Sequence, residues 1–242
     1  MKKIIGKLCR NWLGVSLWMI SLASIVVMLK ASADPVIEGI AGTWVGKALR
    51  PFPVGNQIAF DLSIGLLVSV FFYVLVVAVP GHRKRLRIKR HLLRQYDYFK
   101  RDCLLQLLWA SGGLDSSLVD ELIDRDAFRA YFKTRASGGM DRWNVAENAL
   151  QSEPERLARL LDQLEIFRVE LEFTLTTIDV DDPDMLRFAR HLYQVLKQGS
   201  KWRADYDGVK QVSNFFWSVF AGWDIVNGYT ERDIVLEFIE NL

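Results

Sequence analysis

The chain has little cysteine, little histidine and no stretch of alternating apolar and polar residues. Its two cysteines, Cys9 and Cys103, are far apart and sit at neither metal-binding nor disulfide spacing, so they read as reduced thiols. The three histidines are His82, His91 and His191, and no two stand three or four residues apart as a metal pair would. Without alternation there is no strand signal, which leaves an all-α chain. Neither an internal repeat nor a low-complexity segment is present, and no lipid-attachment motif is evident.

Acid is scarce in the first part of the chain. Residues 1–95 hold 14 Lys+Arg against 3 Asp+Glu, a net of +11, and residues 96–242 hold 17 against 26, a net of −9. The basic part carries two long apolar runs. Leu13 to Leu29 is seventeen residues without a charge, and Ile58 to Val79 is twenty-two with one, Asp61. A helix crosses a bilayer core in about 20 apolar residues, so both runs fit as spans.

Flanking charge sets the expected topology. Lys2, Lys3, Lys7 and Arg10 precede the first run, and a collar of Arg83, Lys84, Arg85, Arg87, Lys89, Arg90 and Arg94 follows the second. Basic residues near span ends mark the cytoplasmic side. The expectation is therefore a multi-pass protein of the inner membrane with both ends of this chain cytoplasmic and the loop between the spans outside. Ala31-Ser32-Ala33 after the first run also allows a cleavable signal, which would leave the second span in place. The collar reads as an orientation signal or a contact for anionic lipid headgroups. This gives a membrane hairpin over 1–81, a juxtamembrane collar over 82–95 and a cytoplasmic all-α domain over 96–242.

Helical spacing organises the remainder. Asp34-Pro35 opens a short outer helix through Ile37, Ile40, Ala41, Trp44 and Ala48, which Pro51 and Pro53 stop. Pro80-Gly81 breaks the chain at the membrane exit. A long helix from about Arg83 to Ala110 carries the stripe Leu92, Tyr96, Phe99, Cys103, Leu107, and Gly112-Gly113 ends it. One helix capped by Asp115 follows, then a turn at Ser137-Gly138-Gly139 and a short helix from Asp141. Ser152 caps a helix with Leu157, Leu160, Leu164, Phe167 and Leu171, and Asp182-Pro183 starts another. Lys201 to Gly208 reads as a loop, and Thr230 with Asp233 caps a last helix.

Two features bear on chemistry. Ser111-Gly112-Gly113-Leu114-Asp115-Ser116-Ser117 resembles the pyrophosphate-binding loop of the ATP pyrophosphatase superfamily, which implies backbone N–H groups wrapped around a phosphate. The competing reading is a helix–Gly-Gly–helix turn, since no strand precedes it and no βαβ unit follows. Asp179, Asp181, Asp182 and Asp184 form an acidic cluster that helix capping explains better than a hard cation does. No catalytic residue, metal or cofactor is expected.

The second feature lies in the spans. Asp61, Gly65, Ser69 and Tyr73 recur every four residues on one face of the second, with Val70 on another side. Gly14, Ser21 and Met28, with Ser24 nearby, share a face of the first. Such stripes let helices approach closely, either to pack the hairpin or to line a pore built from several copies. An ionisable residue in a span is a functional candidate in its own right; the alternative is that Asp61 lies at the outer interface, reached by water, and that the stripes only pack the hairpin.

This layout resembles the two-span membrane effectors of bacterial anti-phage systems, including those encoded beside retron reverse transcriptases. Short spans, a basic collar and a helical cytoplasmic domain carry the resemblance, together with Phe128-Arg129-Ala130-Tyr131-Phe132, Asp141-Arg142-Trp143 and the aromatic segment Phe215 to Trp223. The resemblance implies a non-enzymatic effector. It would be held inactive by an inhibitory protein or ribonucleoprotein partner, such as a reverse transcriptase complex. On release it would form homo-oligomers in the lipid bilayer and damage the membrane. The alternative is a non-toxic adaptor that anchors a cytoplasmic partner.

Overall fold

The computed structural model describes residues 2–31, 55–136, 138–180, 182–199, 201–203, 205–224 and 228–242. The outer helix expected after Asp34-Pro35 lies outside the described residues. The chain divides into two compact units, residues 1–84 and residues 85–242.

The first unit holds α1 (Lys2–Ala31), α2 (Asn56–Tyr73), a π-helical turn at Val74–Ala78 and the start of α3 (Val79–Ala110). Helices α1 and α2 pack along each other. Their less exposed positions include the series Leu17, Ser21, Ser24, Met28 and Ala31 on α1, flanked by Ser16, Val27 and Lys30, and Asn56, Phe60, Ser63, Leu67 and Val70 on α2, flanked by Ala59. Both series step by four and three residues, the spacing of a two-helix seam. Buried Ser24 and Ser63 let the backbones approach. The Ser63 hydroxyl donates to Ala59 O at 2.7 Å, so its burial strands no donor.

Away from this seam the large apolar side chains are bare: Trp18 is 78% exposed and Ile58 67%. Both helices are long and apolar enough to cross a membrane, with mean hydropathy of 1.8 over Gly14–Ala31 and 2.7 over the most apolar window of the helix that begins at Asn56. A core helix of a water-soluble protein would bury such residues.

Pro80-Gly81 does not interrupt the helix. Proline lacks the N–H that would reach back four residues, and its ring crowds that carbonyl. The turn before it widens instead, so that Val79 N–H donates to Val74 O five residues back. A π turn of this kind absorbs a proline without ending the helix.

Among the described residues the second unit is all-α apart from one small hairpin and an isolated bridge between Arg135 and Asp141. It takes in α3 from Arg85 onward, α4 (Leu118–Leu122), α5 (Arg125–Lys133), α6 (Arg142–Ser152), α7 (Pro154–Thr177), α8 (Pro183–Gly199), α9 (Tyr206–Ala221) and α10 (Ile234–Asn241). The hairpin pairs β1 (Trp223–Asp224) with β2 (Gly228–Tyr229). The inward stripes of α3 and α7 meet in one core: Phe99 stacks on Phe167 at 5.0 Å, and Tyr96 lies 5.4 Å from the same ring. Phe128 of α5, fully buried, joins α6 and α9 by touching Phe132, Trp143, Trp217 and Phe220, with centroids 4.5 to 5.9 Å away.

Several boundaries differ from the sequence reading, each for a local reason. The helix expected after Asp115 is two, because the Asp124 carboxylate accepts from Asp126 N and Ala127 N, both at 3.0 Å, and caps α5. Ser152 closes α6 rather than capping α7, because Pro154 holds residue 153 out of the helical region. Helix α9 begins at Tyr206, inside the expected loop, because Asp205 caps it by accepting from Gly208 N at 2.7 Å. Asp182 caps α8 as the capping reading requires, accepting from Asp184 N at 2.9 Å and Met185 N at 3.3 Å. Asp181 of the same cluster is outside the described residues.

Candidate functional site

In the first unit, the two stripes read from the spans part company. Ser21, Ser24 and Met28 of α1 lie on the seam with α2, whereas Gly14 is exposed. On α2 the stripe Asp61, Gly65, Ser69, Tyr73 faces outward, and Val70 is the residue that meets the seam. The stripe therefore does not pack the hairpin. Asp61, Gly65 and Ser69 line a shallow groove with Ile58, Leu62 and Leu66. A Cβ placed on Gly65 would meet nothing within 4 Å, so this small residue is not needed for the contact between α1 and α2. Ser69 Oγ donates to Gly65 O at 2.8 Å. Asp61 has no hydrogen-bond or ion-pair partner among the described residues and is exposed. In hydrocarbon such a carboxylate must be neutralised, reach water or find a partner, and each course ties it to its surroundings.

The basic collar is not a uniform belt. Arg83 and Lys84, in the first unit, are exposed. In the second unit, Arg87, Arg90 and Arg94 share the exposed face of α3, and Arg90 Nε donates to Leu86 O at 3.2 Å. Arg85 and Lys89 face the other way. Arg85 Nε donates to Leu242 O at 2.6 Å and Lys89 Nζ donates to Glu240 O. Cations at carbonyls of a helix's last turn complement its dipole, so these two residues hold α10. The other end of α10 is held through Asp233. That carboxylate caps the helix by accepting from Leu236 N at 3.0 Å. It also accepts from the Tyr96 hydroxyl at 3.0 and 3.1 Å and from Lys100 at 3.4 Å. Burial, reinforced by the Asp233 charge, pushes the Tyr96 phenol well above its ordinary value.

His91 does not simply face solvent: it is half-buried and its Nε2 lies 2.8 Å from Glu170 Oε2 of α7. Cys103 is buried, and burial pushes its thiol up, which keeps it protonated and unreactive. His82 and His191 are exposed. Among the described residues no three His, Cys, Asp or Glu side chains gather as a metal site would require.

The Gly-Gly segment is a helix cap. Gly112, at φ 81°, turns the chain left-handed, its N–H donates to Trp109 O at 3.1 Å, and Gly113 N–H donates to Leu108 O at 2.9 Å. These are the paired bonds of a Schellman cap. Ser111 N–H is likewise spent on Leu107 O at 3.0 Å. A Cβ on Gly113 would lie 2.5 Å from a Leu108 methyl, so tight packing explains the second glycine. Asp115 accepts from both Ser117 N at 2.9 Å and Ser117 Oγ at 2.6 Å, which hold its carboxyl below the usual range. The amides of Ser111, Gly112 and Gly113 are thus spent on the preceding helix, which is the bonding that the helix–Gly-Gly–helix reading requires.

No family model, no curated protein and no solved structure matches this chain.

Proposed function

We propose that the chain is a multi-pass effector of the bacterial inner membrane, of the retron type of anti-phage defence, with both ends of this chain cytoplasmic. An inhibitory protein or ribonucleoprotein, such as a reverse transcriptase complex, holds it inactive through the helical unit. On release, copies associate through the Asp61 face of α2 and depolarise the membrane. The reading draws on the layout of the sequence, and one observation supports it most: Asp61, the one acid of α2, stands on an outward face beside Gly65 and Ser69. A second helix seated there would approach closely across the small residues and give Asp61 polar company.

The test is inducible expression in bacteria with a potential-sensitive dye. The wild type is expected to collapse the membrane potential. Gly65→Leu fills the groove without touching the seam, and Asp61→Ala removes the acid. Each should reach the membrane at wild-type levels yet leave the potential intact. Two variants as toxic as wild type at equal membrane levels would sink the α2-face mechanism. A wild type that leaves the potential untouched when freed of any partner would instead make the chain an adaptor anchoring a cytoplasmic complex.

A further inference from the structure

The structure divides the basic collar between two tasks. Arg85 and Lys89 are spent on the last carbonyls of α10. Arg87, Arg90 and Arg94 form a row on the exposed face of α3. Arg90 donates to Leu86 O of its own helix, and neither Arg87 nor Arg94 has an acid partner among the described residues. Residues 82–96 contain no acid. Asp97, the next acid along α3, holds Arg101 at 2.9 Å, and Glu170 of α7 meets His91 at 2.8 Å. A row of like charges without acids repels itself, so it gains from an anion brought to it.

We infer that this row binds the anionic phospholipid headgroups of the leaflet that α3 leaves, with a strength that falls from Arg87 to Arg94, and that Arg85 and Lys89 take no part. Distance along the helix selects the partner and sets the gradient. Helix α3 begins at Val79, where the apolar run of the second span ends. Arg87, Arg90 and Arg94 therefore follow it by at most about 12, 17 and 23 Å. The headgroup layer is about 5–8 Å deep and its field fades over about 8 Å of salt water, so it reaches about 15 Å. Helical side chains point back toward the N-terminus, which here is toward the span. Arg87 lies inside that reach, Arg90 comes within it through its side chain, and Arg94 stays largely beyond it. A guanidinium also pairs with phosphate through two parallel hydrogen bonds. Leu86, 41% exposed beside Arg90, gives the row an apolar member that suits a bilayer interface. A nucleic acid carries phosphates too, but it would arrive from water past residues 96–242, where 17 Lys+Arg stand against 26 Asp+Glu.

The inference rests on the reading that α2 spans a membrane and on nothing else in the proposed function; self-association and membrane potential play no part in its test. The full chain in dodecylmaltoside micelles is titrated with phosphatidylglycerol or phosphatidylcholine, and bound lipids are counted by native mass spectrometry. A basic residue near an anionic surface strengthens binding about fivefold, so two should make the first phosphatidylglycerol bind about twentyfold tighter than phosphatidylcholine. Arg87→Gln with Arg90→Gln should bring that ratio to within about threefold of unity, and Arg94→Gln alone should change it less than about twofold. Arg85→Gln with Lys89→Gln loosens α10 and should leave the ratio as it is. All these side chains lie at the surface, and an unchanged circular dichroism spectrum confirms that the Arg87 and Arg90 variants are folded. Equal binding of the two lipids, a ratio that survives the Arg87 and Arg90 substitutions, or one lost as fully with Arg85 and Lys89 would each overturn the inference. Displacement of the lipid by millimolar inorganic phosphate would overturn it as well. So would a single-stranded RNA that binds more tightly than phosphatidylglycerol and is lost in the same variants. A chain that stays dissolved without detergent would refute the membrane span and the inference with it, whereas equal lipid binding by a chain that needs detergent counts against the inference alone.

Discussion

Replacing Tyr96 with phenylalanine removes one atom from the core and tests how α10 is held. The hydroxyl donates to the Asp233 carboxylate at 3.0 and 3.1 Å while the ring packs against Phe99 and Phe167. A hydrogen bond to a charged acceptor contributes about 1.5–3 kcal/mol. Phenylalanine keeps the ring contacts, and Asp233 keeps Lys100 and the Leu236 amide, so the expected loss is about 1–2 kcal/mol. For a unit of this size that lowers the melting temperature by about 3–6 °C. The pH dependence has a definite sign. The folded phenol titrates well above its ordinary value near 10, because burial and Asp233 both oppose the phenolate. Its contribution is therefore whole below about pH 10 and is lost as pH rises from there toward the folded value, because only the unfolded chain releases the proton. The assay is thermal unfolding of the full chain in detergent micelles, followed by near-ultraviolet circular dichroism from pH 7 to 11. The gap between wild type and Tyr96→Phe should narrow above pH 10. A variant that melts at or above wild type at pH 7, or a gap that stays constant to pH 11, would refute the reasoning.

The aromatic hub sets a larger magnitude. Phe128→Ala should destabilise the helical unit by about 3–5 kcal/mol, read by denaturant unfolding, because α5, α6 and α9 all close on that ring; a loss below 1 kcal/mol would mean the hub is not the core of this region. Topology has a direct readout: a reporter fused after Leu242 should behave as cytoplasmic and one inserted at Gly55 as external, and the opposite pattern would remove the basis for reading the collar as a cytoplasmic signal.

Most of the helical fold was legible because burial in helices leaves a periodic trace. The stripes on α3 and α7 name the residues that form the core. What escaped the sequence was where helices stop. Pro80-Gly81 reads as a break by local chemistry, yet a π turn upstream absorbs it, and nothing in the aliphatic run over 74–79 signals that adjustment. Asp124 was hidden in the opposite way. It stands in a short polar gap between the apolar residues Leu122 and Ile123 and the stripe Phe128, Tyr131 and Phe132, too short to separate α4 from α5 by pattern alone. The Trp223–Tyr229 hairpin is two residues per strand, too short for alternation to register.

The candidate site shows a different limit. Periodicity gives the angle between residues on a helix but not which angle points inward. Asp61, Gly65, Ser69 and Tyr73 share a face by spacing alone, and the small-residue rule would place such a face against the neighbouring span. The hairpin uses another small residue: Ser63, whose hydroxyl is satisfied within its own helix, sits on the seam with Phe60, Leu67 and Val70. The neighbouring span therefore leaves the groove at Gly65 unfilled and Asp61 without a partner, on the side of α2 turned away from α1. An acid on an apolar outer face is stable where it reaches water at the membrane surface or where a neighbour meets it, and the groove beside Gly65 leaves room for the second. That is the physical reason to look for the activity of this chain in what α2 contacts between copies rather than in the hairpin itself.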